Sequence, residues 1–311
     1  MQANATVIHL AAMKLEPCIV CNSLTTKPLL HIQDRHYGIR GEFDLVECSD
    51  CGLVRLNPMP SFEELAALYA QDYYAYKPKR VDSQLKRIAK KILRIPIPNH
   101  NPTFVQPGIL LDVGCGSGEF LHTMRAKGWE VKGVEPSSYG AAEGRSAGLD
   151  IFNGTLHQAQ FTDATFDYVR SNHSFEHVTN PVEVIAEMYR ILKPGGTMFM
   201  GIPNSESWPY RMLGKYWWFL GPLHPYTYGV STISLMLQRA GFKIEKVFYN
   251  SNFASVTGSI QIYLNRNDDT LIDQGRVMSN PFLMLAGNAV TWVLDRCHQG
   301  DAIEIICRKP S

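Results

Sequence analysis

The chain has 311 residues, of which 45% are hydrophobic and 19% charged, and a formal net charge of +1; these proportions exclude a fibrous or low-complexity class and leave room for a sizeable core. A near-neutral balance offers no general attraction to nucleic acid or to an anionic membrane, so either partner would need a local patch. The opening apolar run Val7 to Met13 lacks a basic leader and a long apolar core, so neither signal peptide nor membrane span is expected, and the cytoplasm is the expected compartment.

Two CxxC knuckles come first, Cys18-Ile19-Val20-Cys21 and Cys48-Ser49-Asp50-Cys51, with strand-like sequence around Ile32 and from Phe43 to Val46 between them. A hairpin there would bring four thiolates together, which fills the tetrahedral sphere of a structural zinc. Residues 14–60 therefore resemble a zinc ribbon, with Cys18, Cys21, Cys48 and Cys51 as ligands. A redox CxxC would need a thioredoxin-like strand and helix, and neither is apparent. His31 and His36 are expected on the surface.

Residues 61–105 read as a helical bridge. Ser61 caps an amphipathic helix through Glu63, Glu64, Leu65, Leu68 and Tyr69, expected to end near Asp72-Tyr73-Tyr74. A second helix sets Leu85, Ile88, Ala89 and Ile92 against Lys86, Arg87, Lys90, Lys91 and Arg94. It suits a packing lid, or contact of residues 85–95 with an anionic group or a membrane surface. The proline-rich stretch Ile95 to Gly108 cannot continue a helix and leads into the main domain, residues 106–311.

That domain opens on Leu110-Leu111-Asp112-Val113-Gly114-Cys115-Gly116-Ser117-Gly118-Glu119-Phe120, which reads strand, glycine loop, helix. Glycines let a ligand lie against main chain. Glu130 to Val134 is a second strand ending in Glu135, 21 residues beyond Gly114, where a carboxylate can accept both ribose hydroxyl protons of an adenosine cofactor. The third strand, Leu149 to Phe152, delivers Asn153-Gly154-Thr155-Leu156 to the adenine side. The fourth, Phe166 to Arg170, ends in Ser171-Asn172-His173-Ser174-Phe175-Glu176-His177-Val178.

A helix from Pro181 to Leu192 is expected to stop at Lys193-Pro194-Gly195-Gly196, followed by a strand over Thr197 to Ile202. The alternation implies a parallel sheet with helices on both faces and ligands beyond the strands' carboxyl ends. An aromatic insertion from Trp208-Pro209-Tyr210 to Trp217-Trp218-Phe219-Leu220 then suits a pocket wall or a lid. His224 follows, ahead of a helix over Ser231 to Ala240. Lys243 to Tyr249 and Ala302 to Cys307 read as the last two strands, and Phe282 to Leu294 as a helix too short to span a bilayer.

Leu111 to Gly118, Glu135-Pro136, Glu176-His177-Val178, Leu192 to Gly196 and Ala240-Gly241-Phe242 resemble the successive motifs of class I methyltransferases that use S-adenosylmethionine. With the four-cysteine lobe, the chain is similar to small-molecule members, including sugar C-methyltransferases. The resemblance implies an α/β fold with a doubly wound, mostly parallel seven-stranded sheet. It also implies that Gly114, Cys115, Gly116 and Gly118 approach the methionine part of the cofactor, with Asp112 at its amino group. Glu135 takes the ribose, Asn172 or His173 lines the sulfonium side, and Tyr73 and Tyr74 match tyrosines that close over the cofactor carboxylate.

Methyl transfer is an in-line displacement, so positioning dominates and a base is needed only where the nucleophile must lose a proton. His224 is the first candidate, with His173, Glu176 and His177 at the facing strand tip; Glu176 and His177 also suit plain bracing of the loop. The acceptor is expected to be a sugar, a quinone-like ring or another metabolite. Alternatives are an RNA methyltransferase with a zinc lobe, disfavoured by the net charge, and a non-catalytic cofactor-binding protein; a nicotinamide oxidoreductase is weaker because the loop reads GxGxG. Oligomerisation stays open.

Overall fold

The computed structural model describes residues 16–68, 106–251, 254–267 and 275–311. Tyr73, Tyr74 and the basic stretch 85–95 lie outside the described residues. The N-terminal lobe contains β1 (Thr26–Ile32), β2 (Phe43–Cys48) and β3 (Val54–Leu56), an antiparallel ladder joined by the expected hairpin. The helix α1 (Phe62–Ala67) starts at Ser61, whose hydroxyl accepts from Glu64 N–H while the Glu64 carboxylate accepts from Ser61 N–H. Such a reciprocal cap satisfies two otherwise unpaired donors. The helix ends at Ala67 with Leu68 as its C-cap; the expected end near Asp72-Tyr73-Tyr74 lies outside the described residues.

The main domain runs β4 (Ile109–Val113), α2 (Glu119–Arg125), β5 (Glu130–Glu135), α3 (Ser138–Ser146), β6 (Asp150–Asn153), β7 (Phe166–Asn172), α4 (Pro181–Ile191), β8 (Leu192–Pro203) and α5 (Trp208–Leu213). It continues through β9 (Tyr226–Thr227), α6 (Val230–Arg239), β10 (Lys243–Tyr249), α7 (Ser255–Leu264), α8 (Arg276–Ser279), α9 (Pro281–Arg296) and β11 (Ala302–Arg308). Seven strands form one sheet in the order β10-β11-β8-β7-β4-β5-β6. The pairs from β8 to β6 are parallel, and β11 enters antiparallel between β8 and β10. This is the doubly wound class I architecture the motifs implied. The Lys193-to-Gly196 segment departs from expectation: it belongs to the start of β8, because its partner Arg308 already pairs with Thr197 and Lys309 with the Gly195 and Gly196 backbone.

Strand alternation sends apolar side chains to both faces. Leu111, Val169, Met198 and Met200 meet Ile185, Met188, Ile233 and Leu237 on one face. On the other, Leu110, Tyr168 and Phe199 meet Leu121, Met124 and Ala141. Each of these large apolar side chains, fully buried, contributes roughly 1.5–3 kcal/mol.

One connection was not visible in the sequence. The lobe's sheet has four strands in the order β1-β2-β3-β9, so Tyr226 and Thr227 of the main domain pair with Arg55 and Val54. The aromatic insertion correspondingly fills the lobe: Trp217, wholly buried, packs with Phe219 and Leu220 among Ile32, Phe43, Leu45, Val54 and Leu56. Read as a pocket wall or lid, the insertion is first a core that joins the lobe to the sheet.

Candidate active site

The glycine loop sits at the carboxyl end of β4 with positive φ at Gly114, Gly116 and Gly118, a conformation that L side chains adopt at a penalty. Close approach matters as much. A Cβ on Gly114 would run into Ser174, and one on Gly118 into Leu149. The first contact packs the β7 tip against the loop: Ser174 Oγ donates to Val113 O at 2.7 Å and hydrogen-bonds Ser171 Oγ at 2.7 Å. Cys115 turns its sulfur inward, toward Gly133 and away from a ligand's side of the loop, so main chain is what this residue offers a cofactor.

Glu135 ends β5 beside that loop. Gly116 N–H donates to its Oε2 and Ser137 N–H to its Oε1, each at 2.8 Å. Burial raises its pKa, and the two N–H donors oppose that shift. The carboxylate is thereby held in one orientation at the loop, as ribose recognition needs. Asn153, at the β6 tip, donates to Glu135 O at 3.0 Å and Pro136 O at 3.1 Å, bracing the same corner.

Asp112 departs from the expectation that it meets the cofactor's amino group. It is 1% exposed and its Oδ1 accepts from Arg170 Nη1 at 2.7 Å. The Arg170 guanidinium lies 4.0 Å from the centroid of the Phe120 ring. Burial raises the Asp112 pKa and the arginine pulls it back. Its place is thus a buried ion pair that ties β4 to β7. Sequence reading passed over Arg170, although an arginine inside an otherwise apolar strand is itself a sign of a buried carboxylate partner.

The β7 tip carries four of the expected side chains, Asn172, His173, Glu176 and His177. Asn172 Oδ1 is buried over Gly201 and has no hydrogen-bond partner among the described residues. His173 has φ 51°, faces outward, and its Nδ1 lies 3.3 Å from Glu176 Oε1. Its ring is parallel to that of Phe219, with centroids 6.1 Å apart. Glu176 and His177 form a 3-10 turn (Phe175–His177). His224 arrives from the loop before β9, and its ring meets that of His177 edge-on at 4.6 Å.

Both imidazoles are anchored through Nδ1, His177 to Leu223 O at 2.9 Å and His224 to Phe219 O at 2.6 Å. Burial pushes the His177 pKa down. Burial, with His177 adding to it, pushes His224 down to about 3. Burial would raise Glu176, but its hydrogen bond with His173 and the neighbouring imidazoles hold it below the ordinary carboxylate range. At neutral pH the cluster is one carboxylate beside two neutral imidazoles. His224 is therefore an open but weak proton acceptor on its own, since an efficient general base titrates near the working pH.

In the lobe, Cys18 and Cys51 sulfurs lie 3.5 Å apart and those of Cys21 and Cys48 3.4 Å apart, with all four within 4.8 Å of one another. None is in a disulfide. A tetrahedron of ~2.3 Å zinc–sulfur bonds has edges of ~3.8 Å, so the four side chains fit that ion. Each knuckle turns through a left-handed residue, Asn22 or Gly52, with Asn22 N–H donating to Cys18 O and Gly52 N–H to Cys48 O. His31 and His36 stand apart; His31 is exposed and paired with Asp44 at 2.7 Å.

Residues 80–247, more than half of the chain, match the model of a family described as methyltransferase domain. The chain is 26% identical over 153 residues to a protein of Mycolicibacterium smegmatis described as a "probable S-adenosylmethionine-dependent methyltransferase", covering 47% of this chain and 58% of that protein. It is 32% identical over 114 residues to the ubiquinone biosynthesis O-methyltransferase of Photobacterium profundum, covering 34% and 48%. The chain thus spans about half the length of these curated relatives. A crystal structure of an S-adenosylmethionine-dependent methyltransferase from Archaeoglobus fulgidus is similar at 20% identity with a TM-score of 0.46, covering 72% of this chain and 93% of that one.

Proposed function

We propose, for a chain that belongs to the methyltransferase domain family and is an S-adenosylmethionine-dependent methyltransferase, that the methyl acceptor is a small molecule carrying a hydroxyl on a flat ring. The observation that carries this reading is the pair of flat rings beside the Glu176–His177–His224 cluster, with a second group of rings where lobe and insertion join. His173 and Phe219 lie parallel on one side, and His36, stacked on Tyr37 at 4.1 Å, meets Trp218 at 4.3 Å where lobe and insertion join. Flat apolar faces beside a few polar groups are what a ring with one reacting substituent requires. The name of the Photobacterium relative, a ubiquinone biosynthesis O-methyltransferase, supports a ring hydroxyl over a sugar carbon.

In this reading the cofactor's methionine part lies along Gly114 to Gly118 and Glu135 receives its ribose hydroxyls. Asn172 and His173 flank the sulfonium. The cluster as a whole, with His224 as its most separate member, activates the acceptor hydroxyl. Cys18, Cys21, Cys48 and Cys51 hold a zinc whose four protein ligands leave it no open position, so it stabilises the lobe and takes no part in the transfer. The near-neutral charge of +1 favours a small acceptor over RNA.

An acceptor panel with methyl-labelled S-adenosylmethionine tests this: a catechol, a hydroquinone, a nucleotide sugar and a short structured RNA. Label entering the phenolic compounds is the expected result. Label entering only the nucleotide sugar or only the RNA overturns the ring-hydroxyl reading.

A further inference from the structure

We propose that Glu176, His177 and His224 bind a divalent transition-metal ion at the acceptor side of the active site, separate from the four-cysteine centre. One oxygen of Glu176 and one nitrogen of each histidine lie within 4.8 Å of one another. Glu176 is 2% exposed. Its Oε1 is 3.3 Å from His173 Nδ1, while its Oε2 is buried with no hydrogen-bond partner among the described residues. A buried carboxylate oxygen left without a donor is costly unless a cation completes it.

The histidines are set up in the same sense. A carbonyl oxygen only accepts, so Nδ1 carries the hydrogen in both His177, against Leu223 O, and His224, against Phe219 O. Nε2 of each ring is then the atom with a lone pair, and fixing Nδ1 on a backbone carbonyl is the usual way a ligating imidazole is oriented. The two elements that supply the ligands are themselves fixed. Phe175–His177 follows β7 directly, and Leu56 N–H donates to Pro225 O at 2.9 Å one residue after His224. Two imidazoles and a carboxylate suit manganese, iron, cobalt, nickel or zinc.

This deepens the proposed function and rests on it for the role of the ion. Ser174, two residues before Glu176, touches Gly114 of the cofactor loop, so an ion here sits where acceptor and methyl group meet. Lewis acidity lowers the pKa of an oxygen bound to it, which would activate the acceptor hydroxyl. The acceptor hydroxyl gives its proton to water, its oxygen pair bonds the methyl carbon, and the carbon–sulfur bond breaks with its pair going to sulfur.

Titrating the full chain with Mn2+, following the free-ion paramagnetic resonance signal, tests the site. Mn2+ favours carboxylate and imidazole over thiolate, so the cysteine centre does not compete. Uptake of one Mn2+ per chain is expected, weakened about tenfold or more in both Glu176→Gln and His224→Ala. Calorimetry with S-adenosylmethionine identifies variants that remain folded, and His177→Asn replaces either one that does not bind it. No uptake of Mn2+, Co2+ or Ni2+, or uptake unchanged in the variants, overturns the site. Mn2+ uptake with no methylation of any phenol leaves the site standing and overturns the ring-hydroxyl reading instead. Methylation at full rate in chelator-treated protein overturns the ion's role in transfer.

Discussion

Asp112 and Glu135 are both acidic, one just before the glycine loop and the other at the end of the next strand, and both were expected from the sequence as cofactor ligands. Glu135 has its two oxygens held at the loop by Gly116 and Ser137 N–H groups. Asp112 is answered by Arg170, 58 residues further on, and no local pattern announces such a pairing. Removing one member of a buried ion pair strands the other charge, which typically costs about 3–5 kcal/mol, whereas replacing both with apolar groups of similar volume is often neutral. Arg170→Met is therefore expected to lose about that much stability in urea unfolding, and Asp112→Leu combined with Arg170→Met to recover most of it. A single variant within about 1 kcal/mol of the parent would show that the pair is not the brace described.

At the scale of elements, the seven strands of the main sheet were legible because each announces itself by a local apolar run followed by glycine or a helix signal. The terminal antiparallel pair was legible too, and the long stretch between β10 and β11 holds α7, α8 and α9. What local pattern could not carry was β9, two residues long, whose partner β3 precedes it by about 170 positions and whose pairing depends on the lobe's hairpin. That contact also places His224, since Phe219 O anchors its ring and Pro225 is bonded to Leu56. Chelator treatment, by stripping the zinc proposed for the four cysteines, should accordingly loosen β3, and with it β9 and the buried Trp217. The expected outcome is faster hydrogen exchange at Leu56 and Thr227 and a red-shifted tryptophan emission, while S-adenosylmethionine affinity stays within about threefold because the glycine loop and Glu135 lie on other strands. Equal loss of cofactor affinity would mean that the lobe supports the cofactor cradle rather than the acceptor side.

Over the whole molecule, three layers meet at one carboxyl group, Asp301, at the entrance to β11. Its backbone N–H donates to Ser251 Oγ at 2.9 Å and its carbonyl accepts from Asn204 at 2.9 Å. Burial pushes its pKa from 3.8 up to about 6, with Ser255, Ser251 and Trp217 opposing that rise and Asp295 adding to it. These neighbours belong to the C-terminal helices and to the insertion that fills the lobe, so the charge sits where sheet, helices and lobe converge. A folded-state pKa raised above the unfolded value means that the native state holds the proton more tightly. The stabilisation is thus complete below pH ~4 and lost as pH rises through ~6, about 1.4 kcal/mol for each pH unit between the two values. Asp301→Asn removes the titration while keeping the shape. The melting temperature of the variant is expected to match the parent near pH 4 and to exceed it by several degrees at pH 8, each kcal/mol being worth about 2–4 °C in a chain of this size. A difference that stays flat from pH 4 to 8 would show that the Asp301 carboxyl is solvated and that the three layers do not close over it.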